Sequence, residues 1–419
     1  MTLAGDETDE TDKVALRDEP TSEEVIARAR GMRERLRELQ GEHQRLGTYS
    51  PEIHEAFTEA RLYDILRPRR YGGLELGLQT FFKVACELAR ADPGVGWAYE
   101  LGASHAYQFS SYFPERSQEE AYRAYPFVAA SRAFPLTATA EPVDGGYILT
   151  GRWDYNSGCT YSSHFMPAAP VIAADGTPVP HMFIVPRADY TIVDDWGGGR
   201  TLGLGASSSN SITIDHVFVP DYNVVPFDFK DYVWSEHGGT PGYRLLGNPT
   251  YLGRTTTMFI AGLAVTQVGT AWAALDEYEA LMHERGTSFP PRMPRAESTQ
   301  YQQWFGHIQQ LTDSADALLH ATVRDMEERG YAWAAGGPEF TPAEDIRLRG
   351  QAATAARIAV EAVDLAFSTA GSSSAGMTGK RLEKYYRDSG FYKTHIGAQY
   401  DVFYLSQGRV ALGLPAGTM

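Results

Sequence analysis

The sequence predicts an α+β protein: an N-terminal helical domain, a middle antiparallel β-barrel or sandwich, and a C-terminal helical bundle. Three observations carry that reading. Apolar side chains recur at helical spacing over residues 21–126. Over residues 127–235 the period falls to two, and nine prolines (135, 142, 167, 170, 178, 180, 186, 220 and 226) interrupt any helix. Over residues 236–419 long helical stretches resume, rich in alanine and glycine.

The elements follow in order. Residues 1–20 hold seven carboxylates against two basic side chains, too little apolar material to offset the entropy of ordering, so a disordered acidic tail is expected. Thr21 or Ser22 can cap a helix with Glu23 and Glu24 in its first turn and an apolar face of Val25, Ile26, Ala29, Met32, Leu36 and Leu39. Pro51 suits the first turn of the next helix, ahead of Ile53, Ala56, Phe57 and Leu62. A third helix over 78–90 stops at Asp92-Pro93-Gly94, and a fourth, rich in aromatic and small residues, covers about 95–112. In the β unit, Asp144-Gly145-Gly146 marks a hairpin turn before the alternating Tyr147, Leu149 and Gly151. The runs 183–185, 190–193 and 212–219 are β-branched and aromatic. In the last unit, 258–282 carries Gly262, Gly269 and many alanines, and 345–369 is similar; small side chains let helix axes approach closely. Prolines 290, 291 and 294 separate two of these helices.

Composition removes several classes of function. The 419 residues carry 37 basic and 53 acidic side chains, a net charge of −16, which argues against nucleic acid or an anionic membrane as the main partner. Cys86 and Cys159 are the two cysteines, which excludes a disulfide framework and fits a reducing cytoplasm. The N-terminus is acidic where a secretory signal would be basic and then apolar, and no uninterrupted apolar run is long enough to span a bilayer. Motifs remove others. The chain has no His-Glu-x-x-His pair or Cys/His ligand spacing, so no metal site is expected. It also lacks a phosphate-binding Gly-x-x-x-x-Gly-Lys loop and a Gly-x-Ser-x-Gly elbow. The glycines at 197, 198, 199, 203 and 205 lead into Ser208, Ser209, Asn210 and a strand-like run. A dinucleotide site needs a helix N-terminus there to receive the pyrophosphate.

Two strings, Gly151-Arg152-Trp153-Asp154-Tyr155-Asn156-Ser157-Gly158 and Ser211-Ile212-Thr213-Ile214-Asp215-His216-Val217-Phe218-Val219-Pro220, are similar to the β-domain of the acyl-CoA dehydrogenase superfamily. Three further features resemble its two-component (group D) flavin-dependent monooxygenase branch. They are Gly96-Trp97 leading to Ser104-His105, Ser131-Arg132-Ala133 ahead of Glu141-Pro142-Val143-Asp144-Gly145-Gly146-Tyr147, and Arg387-Asp388 followed by His395. The resemblance covers nearly the whole chain. It implies an acyl-CoA dehydrogenase-like fold and the oxygenase component of such an enzyme. That component would take reduced flavin (FMNH2 or FADH2) from a separate NAD(P)H:flavin reductase, and O2, and hydroxylate a small phenolic or polycyclic aromatic through a C4a-hydroperoxide. N-hydroxylation, S-oxidation, an acyl-CoA dehydrogenase-like activity and a non-catalytic binding role are the alternatives. A homotetramer, or a dimer, is implied by the same likeness.

Its site residues carry over one by one. A dehydrogenase of this superfamily uses a glutamate to remove an α-proton, often just after an Arg-Asp pair; the stretch here reads Lys393-Thr394-His395-Ile396-Gly397-Ala398-Gln399. Glu277 and Glu279 are the other positions where such a base could sit. Imidazole suits an oxygenase, because its pKa lies near neutrality. The resemblance therefore implies catalytic roles for His395, His105 and Ser131. It places Asn156, Ser157 and Gly158 along the flavin ring, Ser207 and Ser208 at the cofactor edge, and Arg254 on the flavin phosphate. One segment departs from the pattern: relatives usually carry Gly-x-Arg-Gly-Thr-Gly-Ser before the second string, and here Gly205 stands in the arginine's place.

Overall fold

The computed structural model describes residues 19–133 and 138–417; the acidic segment over 1–18 lies outside them. Thr21 caps the first helix, Ser22–Gly31, in a reciprocal capping box with Glu24, and Pro51 opens Pro51–Glu59. Asp92 ends Gly77–Ala91 and starts Pro93–Ala103, its carboxylate accepting the Gly94 N–H at 3.0 Å. His105–Tyr112 follows almost without a break.

Among the described residues, nine strands form one sheet between Ala129 and Pro226. The hairpin Thr139–Val143 to Gly146–Trp153 turns at Asp144-Gly145, and Gly146–Trp153 pairs on its other edge with Ile212–Pro220. The expected antiparallel arrangement needs correction. Ala129–Arg132 runs parallel to His164–Ile172, and Thr139–Val143 also meets that strand in parallel. The chain between residues 132 and 164 is long enough to include a hairpin and return in the same direction, which a parallel pair requires. The sheet is therefore mixed.

Helices resume at Trp234. The bundle is built from Thr255–Glu284, Thr299–Ala334 and Pro342–Ala370, with Arg381–Tyr392 and Tyr400–Ala411 completing it. Thr255–Glu284 is long and apolar enough to cross a membrane by composition, but nine-tenths of its most apolar window is buried inside the fold. Gly269 explains how closely it packs. A Cβ there would come within 2.5 Å of the Ala89 Cβ and 2.8 Å of the Cys86 carbonyl on the helix Gly77–Ala91. The two helical parts of the chain consequently share one core, in which Phe81, Leu88 and Val95 join Ala261, Val265 and Val268. The sheet has its own core of Leu149, Trp153, Phe165, Phe183 and Ile212.

Candidate active site

The site lies where the sheet meets the helix Pro93–Ala103 and the chain just after Arg381–Tyr392. Trp97 Nε1 donates to Ser157 Oγ at 3.0 Å. Ser157 Oγ lies 2.8 Å from Ser209 Oγ, which lies 2.7 Å from Ser207 Oγ. The other face of Trp97 meets His395, with ring centroids 5.2 Å apart and planes at 86°. One indole thus joins the serine chain to the imidazole. Gly158 makes the approach possible. Its φ is +77°, and a Cβ would stand 2.6 Å from the Ala98 carbonyl, so the loop and the helix pack main chain to main chain.

The two imidazoles are set in opposite senses. His395 Nδ1 accepts the Gly397 N–H at 3.0 Å, and Gly397 is itself held by Tyr392, whose hydroxyl donates to its carbonyl at 2.9 Å. The neutral ring therefore carries its proton on Nε2. His105 Nδ1 donates to the Ala129 carbonyl at 2.8 Å, leaving Nε2 as the lone-pair nitrogen. Burial depresses both rings to about 4, with the nearby Arg132 charge contributing at His395, so both are uncharged at neutral pH. Ser131 stands two residues beyond Ala129 on the strand Ala129–Arg132, and its hydroxyl donates to the Met166 carbonyl at 2.8 Å.

A buried ion triad holds these pieces in register. Lys384 Nζ lies 2.9 Å from Asp92 Oδ1 and 2.7 Å from Asp388 Oδ2, and all three side chains are buried. The two carboxylates raise the Lys384 pKa despite the burial that opposes it, so the ammonium stays charged. Asp388 also accepts the Leu204 N–H at 2.7 Å. One lysine thus connects the start of the Trp97 helix, the loop ahead of Ser207 and the helix that leads to His395.

Four of the expected cofactor contacts are buried in the chain: Asn156, Ser207, Ser208 and Arg254 are each 1% exposed or less. Asn156 Nδ2 donates to the Trp153 and Asn210 carbonyls, and Ser208 Oγ accepts the Thr160 N–H at 2.8 Å; both brace the loop. Arg254 donates to the Phe340 and Tyr232 carbonyls and stacks 4.5 Å from the Trp234 ring centroid, which makes it an anchor of the bundle. Ser157 is the member of the set that is half-buried and reachable.

Four residues gained importance only in three dimensions. Trp97 had been part of a motif without a role of its own, Arg132 had been a neighbour of Ser131, and Lys384 is recognisable in sequence only through its i,i+4 spacing to Asp388. The fourth is Glu100, which is buried against Gly262 and whose carboxyl is pushed up to about 8 by that burial. Glu277, a possible dehydrogenase base, is instead ion-paired with Arg381 at 3.2 Å on an exposed face. Elsewhere, Cys86, Asp316 and His320 bring three potential metal-ligand atoms within 4.8 Å of one another. Arg30, Arg33, Lys83, Arg90 and Glu87 line the same cavity, of about 200 Å³, with Glu87 paired to Arg30 and Arg33.

Comparison with known proteins agrees with this architecture. Residues 261–400 match the family described as acyl-CoA dehydrogenase, C-terminal domain. The chain is 27% identical to the oxygenase component of p-hydroxyphenylacetate 3-hydroxylase of Acinetobacter baumannii, over 86% of this chain and 82% of that protein. It is 25% identical to the HsaA oxygenase subunit of a flavin-dependent monooxygenase of Rhodococcus jostii, over 91% and 96%. Among solved structures, the HsaA monooxygenase of M. tuberculosis superposes with a TM-score of 0.84 at 23% identity, covering 95% of this chain and 99% of that one. XiaF from a Streptomyces species, solved with FADH2 and glycerol, gives 0.84 at 23% identity over 95% and 97%. The fold is that of the acyl-CoA dehydrogenases.

Proposed function

We infer that this chain is the oxygenase component of a two-component flavin-dependent monooxygenase, a branch of the acyl-CoA dehydrogenase superfamily, and that it hydroxylates a small aromatic compound. The observation that carries the reading is the neutral His395 ring, packed on Trp97 beside the serine chain and presenting its Nε2–H. Among the described residues, no carboxylate is hydrogen-bonded to or stacked on Trp97, Ser157, Ser209 or His395, which is where a thioester dehydrogenase would need its base. Relatives named for p-hydroxyphenylacetate, resorcinol and indole-3-acetate support an aromatic substrate, and their designation as oxygenase components supports a separate reductase.

The residues fit a flavin. A flat ring with a polar edge needs a reachable hydroxyl, and the half-buried Ser157 Oγ provides one. Reduced flavin, as FMNH2 or FADH2, supplies when bound the electrons that activate O2. The chain's own groups handle protons. His105 Nε2 has the lone pair to accept the proton of a phenolic hydroxyl, and His395 Nε2–H can hydrogen-bond the oxyanion that results. Trp97 and Tyr392, packed edge to face, exclude water there. Ser131 adds a hydroxyl beside the His105 strand contact.

We place assembly and location on supporting observations. Phe259, Leu405, Leu412 and Leu414 are 47%, 62%, 78% and 49% exposed on C-terminal helices and their end, surface that a homotetramer or dimer would cover. Both thiols are free and buried, in keeping with the cytoplasm.

The test is stopped-flow absorbance. Protein mixed anaerobically with FMNH2 or FADH2 and then with oxygenated buffer, alone and with a phenol, should give a transient species distinct from reduced and oxidised flavin. If flavin oxidises at its free rate under every condition while acyl thioesters bleach the oxidised protein, the enzyme is a dehydrogenase.

A further inference from the structure

Arg132 is half-buried, and among the described residues no group accepts a hydrogen bond from its Nε. It ends the strand Ala129–Arg132, one residue beyond Ser131. Among the described residues no carboxylate pairs with it. Asp154, the acid that acts on it most, is already held by Arg152 Nε and by Ser211 Oγ, each at 2.8 Å. The guanidinium carbon lies 6.0 Å from the centroid of Tyr155, two residues before Ser157. Its charge is felt at His395.

Arg254 satisfies its guanidinium on the Phe340 and Tyr232 carbonyls. Arg33, Arg37, Arg67, Arg295 and Arg349 also bury a nitrogen without an acceptor, but Arg33 and Arg37 pair with carboxylates, Arg67 donates to the Tyr122 carbonyl, and Arg295 and Arg349 pack on Tyr301 and Phe403. Enclosing a cation without a counter-charge is costly, and a guanidinium fork matches a carboxylate at two points.

We propose that Arg132 is the receptor for a carboxylate carried by the aromatic substrate, a specificity determinant that fixes the ring with its reacting end toward His395 and His105. The proposal rests on the oxygenase reading of the site for its substrate, but its test needs no turnover. The flavin phosphate is the other anion that could meet the same fork.

Full-length protein, Arg132→Gln and Arg132→Lys are each titrated calorimetrically with 4-hydroxyphenylacetate and with its uncharged amide, and then with FMN and riboflavin. Matching melting curves establish that the variants fold. The expected result is wild-type preference for the acid over the amide by about ten-fold or more. Arg132→Gln erases that preference, Arg132→Lys restores part of it, and neither changes the binding of FMN or riboflavin. Failure of both phenols to bind, equal binding of acid and amide, or a preference that survives Arg132→Gln each overturns the proposal. So does a loss confined to FMN with riboflavin unaffected, which assigns Arg132 to the flavin phosphate. A wild-type acid preference in a protein that transfers no oxygen would sink the oxygenase reading alone and leave the receptor standing.

Discussion

At the scale of single residues, protonation is set by burial. His395 presents an N–H because Gly397 occupies its other nitrogen. Replacing it with Asn should lower hydroxylation by about 10²-fold or more while flavin oxidation continues, so that product falls relative to hydrogen peroxide released. His105, His164 and His395 are all held at about 4, below the ordinary imidazole value of 6.5. Between those values the unfolded chain binds protons that the folded chain refuses, so stability is full above pH 6.5 and declines as pH falls toward 4. Glu100 acts at the other end. Its folded pKa of about 8 exceeds the ordinary 4.5, so the stability it provides is full below pH 4.5 and is lost as pH rises through 8. Glu100→Gln cannot ionise, and urea unfolding at pH 6 and 8.5 should show a smaller alkaline loss than in the wild type. The types and order of His105, Ser131, Ser157 and His395 were legible in the sequence through resemblance. Their tautomers were not, because each depends on one backbone group (Gly397 N–H, Ala129 carbonyl) that only the folded chain brings near. The bonds by which Asn156, Ser207 and Ser208 brace their own loop were not legible, because a turn-forming polar residue reads alike whether it faces a ligand or its own loop.

At the scale of elements, the site depends on two close joins. Gly158→Ala would place a methyl 2.6 Å from the Ala98 carbonyl at a φ of +77°, pushing the Ser157 loop off the Trp97 helix. Flavin affinity measured by equilibrium dialysis should fall while the circular dichroism of the helices is kept. The second join is the triad. Lys384→Met leaves Asp92 and Asp388 facing each other without a cation, and denaturant titration should show a loss of about 3–5 kcal/mol. Helix and strand periods exposed most elements directly: the Thr21 cap, Pro51 and the Asp144-Gly145 turn lie where the residue types demand. The parallel pairing of Ala129–Arg132 was hidden, since alternation marks a strand but not its neighbour's direction.

At the scale of the molecule, exposed leucines and Phe259 on the C-terminal helices predict assembly. Light scattering after gel filtration should give a mass near a multiple of the 46.2 kDa chain, and charged substitutions at Leu405 and Phe259 should reduce it. The division of the sequence into helical, β and helical parts describes composition well. Packing joins the outer two, because Gly269 carries a late helix onto an early one. The lysine triad carries this further, into synthesis. Asp92 leaves the ribosome 292 residues before its partner Lys384. Through most of translation the Asp92 carboxylate lacks the ammonium it meets in the folded chain. A nascent chain halted before residue 384 lacks the cation of this triad, and fragments cut at the compositional boundaries should bind flavin only when recombined.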